Sequence, residues 1–245
     1  MSANHYVVNS NTVGTFQISA QDAVDSTARV ALGLTVLGYS QYWGGGEFIY
    51  AQYGGTVPQY GLCVNTPALT SGQLIPIMTA VPNTANLGRA VYVAMVGGSS
   101  GNYGWFMKAG LTPVNGTASV TADTAFGITA AGQIGAIANG KQIIGARSIL
   151  AATTTSAKSN CTGNSGSYQI NVPNSDGWFV GAYLSGTGVG TNTVVSKISP
   201  DGRTVTVTVA NSAAISGTVT ATYNNATIYY NVCAIERPIA QGQVS

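Results

Sequence analysis

Charge is the scarcest property of this 245-residue chain: with nine Lys and Arg, seven Asp and Glu and one histidine, only 7% of its residues are charged, against about 25% in an ordinary soluble domain. The net charge of +2 is spread without runs, which excludes the basic footprint of a nucleic-acid binder or of a protein held to anionic membrane. Disorder is excluded too, because 45% of the residues are apolar and 13 are tyrosines. Long apolar runs are missing. No stretch approaches the roughly 18 residues of a spanning helix; Val30 to Leu37 is short and contains glycine. Met1 to Ser10 is polar with no apolar segment behind it, so no secretory leader is expected.

The same poverty extends to catalytic and metal-binding side chains. His5 is the only histidine and lies in a polar N-terminal arm, which argues against Ser-His-Asp or Cys-His chemistry. Cys63, Cys161 and Cys233 are far apart and odd in number, so reduced, buried thiols are expected rather than a disulfide scaffold or a zinc site. Among the carboxylates only Asp22 and Asp25 are close in sequence, and they read as residues that cap or solvate a turn. A glycosidase pair would have to recruit Glu47, Asp123, Asp176 or Asp201 from distant strands. Gly186-Thr187-Gly188-Val189-Gly190 has neither the spacing nor the following helix of a phosphate loop and reads as a tight turn. Sequons at Asn115, Asn160 and Asn225 follow from abundant Asn and Thr. No cofactor, no metal and no enzymatic activity are expected.

What the chain does have is short strands between turn residues, and an all-β protein is the fold class they predict. Val30 to Tyr39 and Glu47 to Tyr53 read as a hairpin around Gly44-Gly45-Gly46. Gly61–Val64, Leu74–Thr79, Ala90–Val96, Tyr103–Ala109 and Gln142–Ala151 continue at the spacing of a sandwich or barrel. Prolines 58, 67, 76, 82 and 113 punctuate them, and Pro76 suggests an edge strand. Ser119 to Ala138, with its three glycines, reads as a hairpin around Ala131-Gly132-Gln133.

From Ser156 to Asn225 the composition shifts to Ser, Thr, Gly, Asn and Val, with strict alternation in Arg203–Val209 and Thr218–Tyr223 and a turn at Asp201-Gly202. Gly145–Thr153 and Ala226–Ile235 on either side look like core strands. The expected organisation is therefore a sandwich or barrel of residues 1–155 completed by 226–245, carrying a small antiparallel β module, 156–225, inserted into a hairpin.

Aromatics are dense at Tyr39, Tyr42, Trp43, Phe48, Tyr50, Tyr53 and Tyr60. They read as a contact surface, since Tyr and Trp are enriched at interfaces, or as rings alternating into the core, or as a sugar-stacking platform. The candidate interface residues are Tyr42, Trp43, Tyr53 and Tyr60, together with Val13, Phe16 and Ile18 of an N-terminal arm suited to adding a strand to a neighbour.

The texts Gly44-Gly45-Gly46-Glu47-Phe48-Ile49-Tyr50, Tyr103-Gly104-Trp105-Phe106, Ala130-Ala131-Gly132-Gln133 and Gly140-Lys141-Gln142-Ile143-Ile144-Gly145-Ala146-Arg147 resemble small virion proteins of tailed bacteriophages, the capsid decoration or cement class. The resemblance covers roughly residues 25–155 and the last strand. It implies a protein made in the host cytoplasm that binds the outside of the capsid and stabilises contacts between major capsid proteins, with self-association as a dimer or trimer. The alternative is a carbohydrate-binding module of a tail or fibre, in which Trp43 or Trp178 would contact sugar, and the inserted module, facing outward, would touch host surface glycans.

Overall fold

A computed structural model describes residues 7–9, 18–19, 24–40, 42–70, 72–225 and 227–242; His5, Val13, Phe16 and Asp22 lie outside them. The strands are β1 (Val7–Asn9), β2 (Ile18–Ser19), β3 (Thr35–Ser40), β4 (Gly44–Tyr53), β5 (Leu62–Asn65), β6 (Ala68–Thr70), β7 (Gln73–Ile75), β8 (Ile77–Ala80), β9 (Val91–Ala94) and β10 (Tyr103–Gly116). They continue with β11 (Gly127–Ala130), β12 (Gln133–Gly135), β13 (Ile143–Leu150), β14 (Thr155–Gly163), β15 (Gln169–Asn171), β16 (Tyr183–Gly186), β17 (Val195–Ile198), β18 (Thr204–Val207), β19 (Ile215–Thr222) and β20 (Tyr229–Ala240). No helix occurs among the described residues. The protein is all-β.

The pairings run from β10 through β9, β5, β8 and β4 back to β10, so five strands close a ring in which only β4 and β8 are parallel. Side chains alternate between the two faces of a strand. In the ring, Ala51, Tyr53, Cys63, Met78, Ala94 and Phe106 turn inward and pack on one another. Their neighbours Tyr50, Leu62, Val64, Val93, Trp105 and Met107 turn outward into a second, larger core. Both faces are thus covered, which is why these strands read as nearly unbroken apolar runs.

Three boundaries differ from the sequence reading, each for a backbone reason. Val30–Leu34 is a turn rather than strand: Gly33 has φ +85° and Leu34 N–H donates to Ala31. Pro76 separates β7 from β8, and β6 and β7 form a two-stranded ribbon of their own. Pro113 does not interrupt β10. Asn115, two residues on and on the same edge, donates its N–H to Tyr60 rather than to β20, so the nitrogen of Pro113 also faces away from the β20 ladder. The hairpin at Ala131-Gly132 is present as β11–β12.

β13 and β20 are antiparallel partners, and β14 to β19 lie between them in the chain. These six strands form a separate sheet in the order β16-β19-β14-β15-β18-β17, entered and left side by side at Thr155 and Thr222. A bridge between Tyr183 and Val194 and bonds from Gly181 to Val195 and from Leu184 to Thr193 draw its two ends together. Val205 and Val207 turn inward while Thr204 and Thr206 stay half-buried, as the alternation predicts.

The module and the ring share one core. Phe179 stands among Trp43, Tyr60, Tyr223 and Tyr230, with ring centroids 6.4, 5.9, 4.9 and 5.7 Å away. Trp178 donates to Ser156 and Tyr223 donates to Gly177, which fixes the segment that carries Phe179. At the neck, buried Asn231 accepts from the N–H groups of Val120 and Ala152 and donates to Ala118.

Candidate functional site

The expected aromatic contact surface is largely interior. Trp43, Tyr53 and Tyr60, expected at a contact surface, are all buried in the chain's own interior instead. Tyr53 fills the ring and donates to Val96, and a Cβ added at Gly98 would lie 2.7 Å from its ring. Tyr60 adopts φ +57°, which sets its ring against Phe179 and Tyr230. Tyr42 remains partly exposed and stacks edge-on against Trp43 at 4.7 Å. Ile18 pairs with Val8 of its own chain, while Val13 and Phe16 lie outside the described residues.

The carboxylates serve local structure. Asp25 accepts from the Tyr50 hydroxyl at 2.7 Å and pairs with Arg29 at 2.6 Å. Burial, aided by the Asp25 carboxylate, pushes the Tyr50 phenol up to about 12. Asp123 pairs with Arg147, and Asp201 accepts from Ser199 and from Arg203 N–H in the β17–β18 turn. Among the described residues no three His, Cys, Asp or Glu side chains gather where a metal ion could be held. Cys63, Cys161 and Cys233 are buried free thiols, and burial raises the pKa of each.

Two features among the described residues stand out at the surface. The first is the β6–β7 ribbon, whose directly paired Leu69 and Leu74 are 75% and 71% exposed. No charged residue occurs between Glu47 and Arg89. In β4, β5 and β8 that lack follows from burial on both faces, but the ribbon has no such cover. Exposed Leu37 and Tyr39 on β3 add apolar surface.

The second feature is a bulge in β20. Ile144 pairs with Ile239 and Ala146 with Ile235, so Glu236, Arg237 and Pro238 stand opposite the single residue Gly145. Arg237 has φ +47° despite preceding proline, a costly backbone state that bulges use to re-aim a side chain. It donates from Nε to Glu47 Oε2 at 3.0 Å, and Lys108 Nζ donates to Glu47 Oε1 at 2.7 Å. Burial works to raise the Glu47 pKa, but the hydrogen bonds and charges of Lys108 and Arg237 outweigh it and hold the carboxyl below its ordinary value. Lys108 lies where β10 passes from β9, at Met107–Val93, to β20, at Ala109–Glu236. That change of neighbour leaves a cavity of about 180 Å³ lined by Ala90, Val91, Tyr92, Lys108, Arg237 and Pro238.

Sequence reasoning named Glu47 as the start of a strand and as a carboxylate that a glycosidase pair would have to recruit, and did not single out Lys108, Arg237, Leu69 or Leu74. A signal for Arg237 was present: Glu236-Arg237-Pro238 is a charged pair and a proline inside an otherwise uncharged strand. No family model, curated protein or solved structure matches the chain.

Proposed function

We propose that the protein is a structural component of a tailed-phage particle that binds the outside of the capsid in many copies and reinforces contacts between major capsid proteins. The observation that carries this reading is the β6–β7 ribbon. Two paired strands alone are marginally stable in water, and this pair holds two leucines in solvent with no charge along its length. Such a ribbon gains most by docking on another protein surface, as strands and apolar faces commonly do. The low charge of the whole chain fits the same role, because few ions need be desolvated when large surfaces meet. A ligand that binds only the assembled shell also shifts the equilibrium toward the shell.

The test is occupancy of purified particles. Hundreds of copies per particle are expected, and Leu69→Asp with Leu74→Asp should abolish occupancy while the isolated protein keeps its melting temperature. A handful of copies at one vertex would move the protein to the tail or neck. The carbohydrate-binding alternative finds less support, since Trp43 and Trp178 are both buried. Retention on a glycan array that survives the leucine substitutions would restore it.

A further inference from the structure

We propose that the cavity beside Lys108 and Arg237 is a socket for one carboxylate side chain, an Asp or Glu presented by the protein surface on which the chain docks. The inference rests on the docking role proposed above and adds the chemistry of a specific contact. Pockets for free small molecules span about 300–1,000 Å³, whereas this cavity holds about 180 Å³, the scale of a single side chain. Its walls are Ala90, Val91, Tyr92 and Pro238, suited to an aliphatic stem, and its charged end is built by Lys108 and Arg237.

Glu47 pairs with both cations, one carboxylate shared between two charges. Donors also remain. Lys108 directs one N–H to Glu47 and Arg237 directs Nε and one terminal nitrogen there, so both keep further N–H groups for a second carboxylate. The arrangement is built rather than incidental. Arg237 is held at φ +47° in front of Pro238 by a bulge that needs Gly145, itself at φ +76°, where a Cβ would come within 3.0 Å of the Glu236 carbonyl. Strain of this kind persists where the surroundings enforce it and clusters at binding sites. The cavity on the other side of the bulge, about 270 Å³, is lined by both Arg147 and Glu236 and so selects neither sign of charge.

The socket can be tested on the full chain without any partner. Side-chain N–H resonances of Lys108 and Arg237 are followed by NMR during titration with N-acetyl-glutamate N-methylamide, its glutamine counterpart and inorganic phosphate. The glutamate probe is expected to shift both resonances and to bind about tenfold more tightly than the glutamine probe, since ionised acceptors make the stronger hydrogen bonds. Glu47→Gln, which removes the competing carboxylate, should tighten glutamate binding, and Ala90→Trp at the exposed mouth should abolish it. Equal response to the glutamine probe, stronger binding of phosphate, or no shift would overturn the socket. Its failure is distinguishable from failure of the docking role: a chain that occupies particles but does not discriminate the probes loses the socket alone, and one that discriminates them but never occupies particles loses the capsid reading.

Discussion

The ring and the module solve the same problem, a small curled sheet, in different ways. Ring strands are covered on both faces, and their interior includes the large side chains of Tyr53, Phe106 and Met78. Module strands bury one face of aliphatic residues, among them Ile170, Val195, Val205, Ile215 and Val219, and leave Thr, Ser and Lys outside. One-sided strands are legible as alternation; two-sided strands are not. The difference also sets dependence, because the aromatic junction around Phe179 belongs to both.

The sharpest way to break the comparison is Phe179→Ala. Removing a buried phenylalanine costs about 3–5 kcal/mol, and the rings of Trp43, Tyr60 and Tyr230 lose their common neighbour. Denaturant unfolding followed by tryptophan fluorescence should change from one transition to two, with the module separating from the ring; a single unshifted transition would mean that Phe179 does not couple them. By the same logic, excising 156–225 and joining Thr155 to Ala226 should expose those rings and give an aggregating product. A soluble, folded remainder would mean that the core closes without the junction.

Tyr50→Phe tests the ring side. It deprives buried Asp25 of a hydrogen bond, at a cost of about 1–3 kcal/mol, and hydrogen exchange should accelerate in β4 and β10 but not in β17 and β18. Gly202→Ala tests the module side. Gly202 has φ +69°, a left-handed state that costs other residues about 1–2 kcal/mol, and here exchange should accelerate in β17 and β18 alone. Glu47→Gln has the smallest expected effect and is read through pH. Because the folded carboxyl sits below its ordinary value of 4.5, Glu47 contributes stability above that pH and loses it as pH falls through the lower folded value. The variant should therefore show a shallower loss of stability below pH 4.5 than the parent; parallel acid limbs would show that Lys108 and Arg237 do not stabilise the ionised form.

Legibility followed the physics of each region. The β17–β18 hairpin was readable from Asp201-Gly202, and the flanking strands β13 and β20 from their β-branched runs. The closure of the ring was not readable, because it depends on β10 pairing with both β4 and β9, and on one parallel pair between β4 and β8 that leaves no local mark. The fate of the aromatics was equally hidden: Tyr39 and Trp43 lie four positions apart, yet one is exposed and the other buried, and what decides is the distant Phe179. Glu236-Arg237-Pro238 marks Arg237 in the sequence, but its meeting with Glu47, which also binds Lys108, depends on the bulge and leaves no local sign.

The pairing of β13 with β20 has a consequence for synthesis. When the ribosome has finished β13, its partner is still about 80 residues away, roughly 4–16 s at ordinary elongation rates of about 5–20 residues per second. The ring strands β4, β5, β8, β9 and β10 are all complete before then. The nascent chain should thus hold a closed ring with β13 unpaired at its side, and the slow step should be the late return of β20, a contact of high sequence separation. Pulse proteolysis of stalled chains is expected to find residues 35–116 protected before release and Ile143–Leu150 protected only once Ala240 has left the exit tunnel. Cleavage within the ring at that stage would show instead that closure waits for the module.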